Sequence, residues 1–217
     1  MTIEPIAYYR GQISGKFALP RQSSLAPSLK GRIVFEKQYS MPEAFRGLDG
    51  FERLWLIWGF SENEGHWSPT VRPPRLGGNE RVGLWASRSP FRPNPLGISA
   101  VTIEKIGDGV IYVSGADLMD GTPVYDVKPY VAYCDAFPSS RSGFAASAPE
   151  PKLRVDFEVS VDDKLRETLS QVLSLDPRPA YHGGSDGRVY GMVFDNLDVR
   201  FAVRDDLLTV TELKPRT

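Results

Sequence analysis

Proline and glycine cut the apolar stretches of this chain to strand length, and that bounds the fold more than any other feature. Residues 54–60 (LWLIWGF) are apolar on both faces, as a strand covered on both sides requires. The runs 32–35, 82–86, 97–103 and 110–114 also have strand length, with Gly and Pro in the gaps. The chain holds 20 glycines and 18 prolines in 217 residues, above the ~12% combined share of an ordinary protein. One short helix is predicted at 41–48, with Pro42 near its start and Gly47 near its end. Strands at this density, without long helices between them, predict a mainly β fold built on a small antiparallel β-barrel. A doubly wound parallel sheet does not fit.

The rhythm changes after a small, polar, Pro-rich stretch at 138–151. We expect a barrel domain over 1–140, a linker over 141–151 and a small α+β domain over 152–217. In that last unit Leu153, Val155, Phe157, Val159 and Val161 alternate with polar residues, the pattern of a half-buried strand. Leu165, Leu169, Val172 and Leu173 recur at helical spacing behind a cap at Asp162 or Asp163. Residues 189–194 and 197–203 alternate about the turn pair Asp195-Asn196, and 207–213 suits a final strand. A unit of about 65 residues is small for independent stability and is expected to pack on the first.

Composition removes several classes of function. Apolar residues make up 41% and charged residues 24%, as in a globular protein. The net charge of −1 lacks the basic excess of a typical nucleic-acid-binding domain. No apolar run approaches the ~18–20 residues that span a bilayer. The start, MTIEPIAYYRGQ, lacks the basic-then-apolar order of a signal peptide, so the expected location is the cytoplasm. One cysteine, Cys134, permits no internal disulfide and no Cys-rich metal site; nothing beside it in sequence activates it, and a buried thiol is expected. His66 and His182 are the only histidines, which leaves little material for a metal site or a Ser-His-Asp triad. No metal is expected. No P-loop occurs and no GxGxxG opens a helix after a strand, so a nucleotide-like cofactor would not be held in the Rossmann manner.

What remains is a set of stiff loops that carry arginine. In SRSPFRPNPLG (87–97) three prolines in six residues restrict the backbone around Arg88 and Arg92. Both guanidinium groups suit a carboxylate, a phosphate or an aromatic face. RPPRLGGNER (72–81) adds Arg72, Arg75 and Arg81, so residues 70–95 hold five arginines and one acid, Glu80. Such a patch suits phosphates, although solvated arginines on a surface connection would read the same way. DLMDGTPVYDVKPY (117–130) turns at Asp120-Gly121-Thr122-Pro123 and places Asp126 and Lys128 at alternate positions. The Asp120 carboxylate suits a ribose hydroxyl or an amine, and a plain structural turn is equally consistent. DPRPAYHGG (176–184) sets Tyr181 and His182 beside Arg178, as in loops that stack on RNA bases or in a helix-to-strand connection.

Taken in order, KFALPRQ, GLDGFERLWLIWGF, RPPRLGGN, SRSPFRPNPLGIS, DLMDGTPVYDVKPY and DPRPAY resemble the signature of the TrmO family over nearly the whole chain. That resemblance implies a tRNA methyltransferase using S-adenosylmethionine, which methylates N6 of threonylcarbamoyladenosine at position 37, chiefly in threonine tRNA. It implies a non-Rossmann β-barrel, a homodimer and contact with the anticodon stem-loop. Carried over by motif, Pro20, Arg21, Gln22, Arg88, Leu118, Asp120, Gly121 and Thr122 would form much of the cofactor pocket. Arg92 and Asn94 would border it with Lys128 nearby, and Asp176, Arg178 and Tyr181 would approach the anticodon loop. Asp120, Asp176 and Tyr181 are the catalytic candidates, with a water or the substrate's own carboxylate as the other candidate bases. The chain departs from the family at Phe60-Ser61, where Phe-His is common, so Ser61 would replace a histidine contact to the cofactor. Tyr125 stands where an aliphatic residue is common. The alternative is a non-enzymatic RNA- or nucleotide-binding barrel using the same loops.

Overall fold

The structure, a computed structural model, describes residues 2–15, 18–63, 65–178 and 188–216. Six strands close a barrel in the order β1 (Ala7–Gly11), β2 (Lys30–Phe35), β7 (Val110–Ser114), β6 (Leu96–Gly107), β3 (Arg53–Gly59) and β8 (Pro123–Pro129). Every pairing is antiparallel, and β8 returns to β1 through Ala7↔Val124 and Tyr8↔Pro123. Closure removes the exposed edges that an open sheet of short strands would leave. The two-residue strands β4 (Thr70–Val71) and β5 (Val82–Gly83) form a separate ribbon in the Arg-rich loop.

The alternation of β3 sends Leu54, Leu56 and Trp58 into the barrel with Ile33, Val101, Ile111 and Val124. Its outward Trp55 is covered as well, by the Tyr130 ring and by Asp135, whose Oδ2 accepts from the indole N–H at 2.9 Å. Tyr9 fills the barrel so tightly against β1 and β2 that only glycine fits at two positions. A Cβ at Gly11 would lie 2.3 Å from the Tyr9 ring, and one at Gly31 would lie 2.2 Å from its hydroxyl. That hydroxyl is buried without a hydrogen-bond partner. Burial, and then the charges of Asp117, Asp120 and Asp195, hold its pKa well above the usual range.

Beyond the exposed stretch 138–151 lies a four-stranded sheet in the order β10 (Val189–Phe194), β11 (Leu197–Arg204), β12 (Leu207–Pro215) and β9 (Arg154–Phe157), with β9 parallel to β12. One face is covered by α2 (Asp163–Leu173), which follows α1 (Ala132–Asp135), a single turn. Asp162 caps α2 by accepting the Leu165 amide at 3.0 Å, and Leu169, Val172 and Leu173 face the sheet. The core here is not built from this unit alone. Ile13, Ala18, Ala26 and Leu29, from the segment between β1 and β2, belong to the same buried cluster as Leu169, Phe194, Phe201 and Val210.

Polar ties reinforce that joint. Ser28 exchanges hydrogen bonds with Gln171, amide to Oε1 and Nε2 to hydroxyl, both at 2.9 Å. Gln12 Nε2 donates to Asp195 at 2.8 Å while the Asp195 amide donates to the Gln12 carbonyl at 2.6 Å.

Four expectations need correction. Residues 41–48 form no α-helix but 3₁₀ turns at Pro42–Phe45 and Leu48–Gly50, because Arg46 is extended and Gly47 is left-handed at φ 81°. The run 82–86 is a strand only to Gly83, after which the chain coils to bury Leu84. The 153–161 alternation is laddered only over Arg154–Phe157 before the chain leaves the sheet toward the Asp162 cap. Cys134 is exposed, because the α1 turn lies on the outside of the barrel. Among the described residues, no helix is long and apolar enough to cross a membrane.

Candidate functional site

Four of the motif segments meet at the barrel. The turn after Pro20 is held to the strand end at Gly115, whose carbonyl accepts the Ser24 amide at 2.7 Å. Across that turn Arg88 Nη1 donates to Gln22 Oε1 at 2.6 Å, joining residues 66 apart in sequence. Beneath them is Asp117, which accepts the Ser99 hydroxyl at 2.5 Å; the Trp58 indole donates in turn to Ser99 Oγ at 3.0 Å. Burial pushes the Asp117 carboxyl above the usual carboxylate range, against the pull of the Ser99 hydroxyl, the Arg88 charge and the Ser23 amide. A cation, an amide and a half-buried carboxylate therefore share one rim of the barrel. The fourth segment closes on the same loop: the Phe60 amide donates to the Pro95 carbonyl at 2.8 Å, and the Asn63 amide group donates to the Pro90 carbonyl.

The turn after Leu118 approaches β1. Asp120 Oδ1 accepts the Gly11 amide at 3.1 Å, and its other oxygen is 3.8 Å from Arg10. Gly121, at φ 84°, donates its amide to the Tyr9 carbonyl, and the Tyr9 amide donates to the Thr122 carbonyl. Leu118 and Thr122 are buried, so at these two positions a ligand would meet backbone rather than side chain. Pro20 is buried; Arg21, Ser61, Arg88 and Asn94 are exposed.

The remaining sequence candidates lie apart from this cluster in their bonding. Arg92 donates to the Ser87 carbonyl at 2.8 Å and lies over the exposed Trp85 ring, 5.3 Å from its centroid. Lys128 pairs with Asp126 at 2.8 Å on the outer face of β8. The Arg178 guanidinium donates to both Asp176 oxygens, at 2.8 and 3.1 Å, and the Arg178 amide donates to Oδ1 at 3.3 Å, just after α2. Burial alone would raise the Asp176 carboxyl, but the Arg178 hydrogen bond and charge overcome it and hold it below the usual range. Tyr181 and His182 lie outside the described residues. The residues sequence reasoning passed over are Asp117, Ser99 and Trp58. Asp117 was quoted only as the start of a motif, and no local pattern signals a carboxylate that is buried by tertiary packing.

Comparison with known proteins places this geometry. The family model for the tRNA-methyltransferase O N-terminal domain matches residues 8–136, and that for the TrmO C-terminal domain matches 150–216. The chain belongs to the TrmO family. It is 40% identical to the tRNA (adenine(37)-N6)-methyltransferase of Escherichia coli strain K12, over 98% of this chain and 97% of that one. A Pseudomonas aeruginosa protein named for S-adenosylmethionine-dependent methyl transfer is 39% identical, again over 98% and 97%. The crystal structure of TrmO from Pseudomonas aeruginosa superposes with a TM-score of 0.82 at 33% identity, covering 99% of this chain and 98% of that one. As a TrmO protein the chain has a closed, non-Rossmann barrel, and the Gln22–Arg88–Asp117 cluster is drawn from three of the motifs that mark the family.

Proposed function

We propose that this protein transfers a methyl group from S-adenosylmethionine to N6 of threonylcarbamoyladenosine at position 37 of threonine tRNA, acting as a homodimer that engages the anticodon stem-loop. The observation that carries the reading is the meeting of Gln22, Arg88 and Asp117 at one rim of the barrel. This donor set fits the cofactor: Arg88 and Arg21 suit its carboxylate, and Gln22 and Asp117 suit its ammonium group. The Asp120–Thr122 turn suits its ribose and Ser61 stands at the edge. When bound, S-adenosylmethionine supplies a methyl group on a sulfonium for in-line displacement by the acceptor nitrogen.

The task of the chain is alignment, which supplies much of the acceleration in such a displacement. Its stiff Pro-rich loop presents Arg88, which holds Gln22, and the Trp58–Ser99 chain fixes the Asp117 carboxylate. The acceptor N6 bears a carbamoyl group and is a poor nucleophile while protonated, so its proton must leave. Asp120 is the carboxylate open to a substrate, 41% exposed with one oxygen on the Gly11 amide. Asp176 is engaged by Arg178 on both oxygens and its lowered pKa makes it the weaker base. The threonyl carboxylate calls for a cation. Lys128, whose side chain is 63% exposed, is more accessible than Arg178, whose side chain is 8% exposed, and Arg92 lies on the Pro-rich loop beside the cluster. In this reading Asp176 and Arg178 hold each other at the start of the DPRPAY motif, which would approach the RNA.

The test is transfer of labelled methyl from S-adenosylmethionine to tRNA purified from cells lacking the gene, followed by nucleoside mass analysis. A gain of one methyl on threonylcarbamoyladenosine is expected; binding of tRNA without transfer would leave a non-enzymatic RNA-binding barrel. Arg88→Ala is expected to weaken calorimetric affinity for the cofactor by roughly tenfold or more, the value of one charge-assisted contact. An unaltered affinity refutes its role.

A further inference from the structure

Trp85 is displayed in a way that the cofactor cluster does not use. Its ring is 72% exposed, yet the residue before it, Leu84, is 1% exposed and anchors the 3₁₀ turn Leu84–Ala86. Around the turn the backbone is pinned: the Leu84 amide donates to the Pro69 carbonyl at 2.9 Å, and the Ser87 hydroxyl donates to the Leu84 carbonyl at 2.8 Å. Arg92 braces one face of the indole at 5.3 Å while its Nη1 holds the Ser87 carbonyl. Phe91, 50% exposed, stands on the same loop. A large apolar ring left in water on a rigid support, with a cation behind it, is built to receive a flat partner.

Charge selects the partner. Arg72, Arg75, Arg81 and Arg92 surround this loop in sequence, and among the described residues none of them pairs with a carboxylate. An aromatic platform among uncompensated arginines fits a stacked base with its phosphates, not an acid-poor apolar surface. Position agrees. Arg88 follows Trp85 by three residues, a Cα separation of at most about 11 Å, so a base on Trp85 lies within neighbouring-nucleotide reach of the cofactor cluster.

We propose that Trp85, braced by Arg92, is a stacking platform for a nucleobase next to the adenine that is methylated. The proposal rests on the reading of the protein as a tRNA methyltransferase, and its test is kept separate from that reading. Anisotropy of a fluorescently labelled anticodon stem-loop RNA measures binding to wild type, Trp85→Ala and Trp85→Phe, with cofactor affinity followed by calorimetry. Trp85→Ala is expected to weaken RNA binding by roughly tenfold, the effect of losing one base stack, with Trp85→Phe close to wild type and cofactor affinity unchanged in both. An abasic nucleotide at the stacked position should abolish the difference between wild type and Trp85→Ala. Equal RNA binding by wild type and Trp85→Ala overturns the platform, whether or not wild type transfers methyl. Conversion of a dimer to monomers by Trp85→Ala, read by sedimentation, also overturns it, since a second copy of the chain would then cover the ring. A wild type that binds the stem-loop through Trp85 but transfers no methyl would sink the enzymatic reading alone.

Discussion

Asp117 shows how a single side chain can serve a site at a cost to the fold. Its carboxyl titrates above the ordinary carboxylate range because burial disfavours its charge more than Ser99, Arg88 and the Ser23 amide favour it. An acid whose folded pKa is raised stabilises the protein fully below its unfolded value, near ~3.9. That contribution is lost as pH rises through the folded value. Asp117→Asn, which keeps the acceptor for Ser99 and removes the charge, should therefore raise the Tm at pH 7–8 and give little gain near pH 4. The same variant should weaken cofactor affinity, because the cofactor's ammonium group loses the carboxylate proposed for it. Melts at the two pH values and one calorimetric titration check this, and a lower Tm at pH 8 would contradict it. The residue was present in the DLMDGTP motif, but its burial was not legible there: Ser99 and Trp58, which enclose it, come from other strands.

At the scale of elements, the legible ones were those whose side chains alternate or recur with a regular period. The helix over Asp163–Leu173 was read from four apolar positions and a capping aspartate, and its Asp162 cap accepts the Leu165 amide as that reading requires. Asp162→Ala is expected to cost about 1 kcal/mol of stability, the usual value of an N-cap, measured by urea denaturation. Strands 110–114 and 189–194 match their apolar runs. The 41–48 segment misled because its apolar residues serve a different purpose: Phe45 reaches edge-on to Phe35, ring centroids 5.0 Å apart, from a 3₁₀ turn rather than a helix. Loops of this kind follow the surface they cover, and no periodicity in their own residues encodes that surface.

For the whole molecule, the segment between β1 and β2 decides how the two halves act together. It carries Gln22 to the barrel rim while Ile13, Ala26 and Leu29 enter the core beneath the C-terminal sheet. Ile13→Ala is expected to lower stability by about 2–4 kcal/mol, as for a fully buried aliphatic side chain. Because the same segment positions Gln22, it should also reduce cofactor affinity, which urea titration and calorimetry on the folded variant would reveal together. Affinity equal to wild type would show that the two halves are only mechanically joined.

The amino-acid sequence by itself determined the material: strands of short length between Pro and Gly turns, one capped amphipathic helix, stiff arginine loops and the ordered motifs of the TrmO family. Tertiary structure decided the closure of the barrel through β1 and β8, the shared core, and the meeting of Gln22, Arg88 and Asp117. The reason is physical. Periodicity in a chain records which side chains leave water, whereas the surface that covers them, and the charges brought beside them, are supplied by residues far away in sequence.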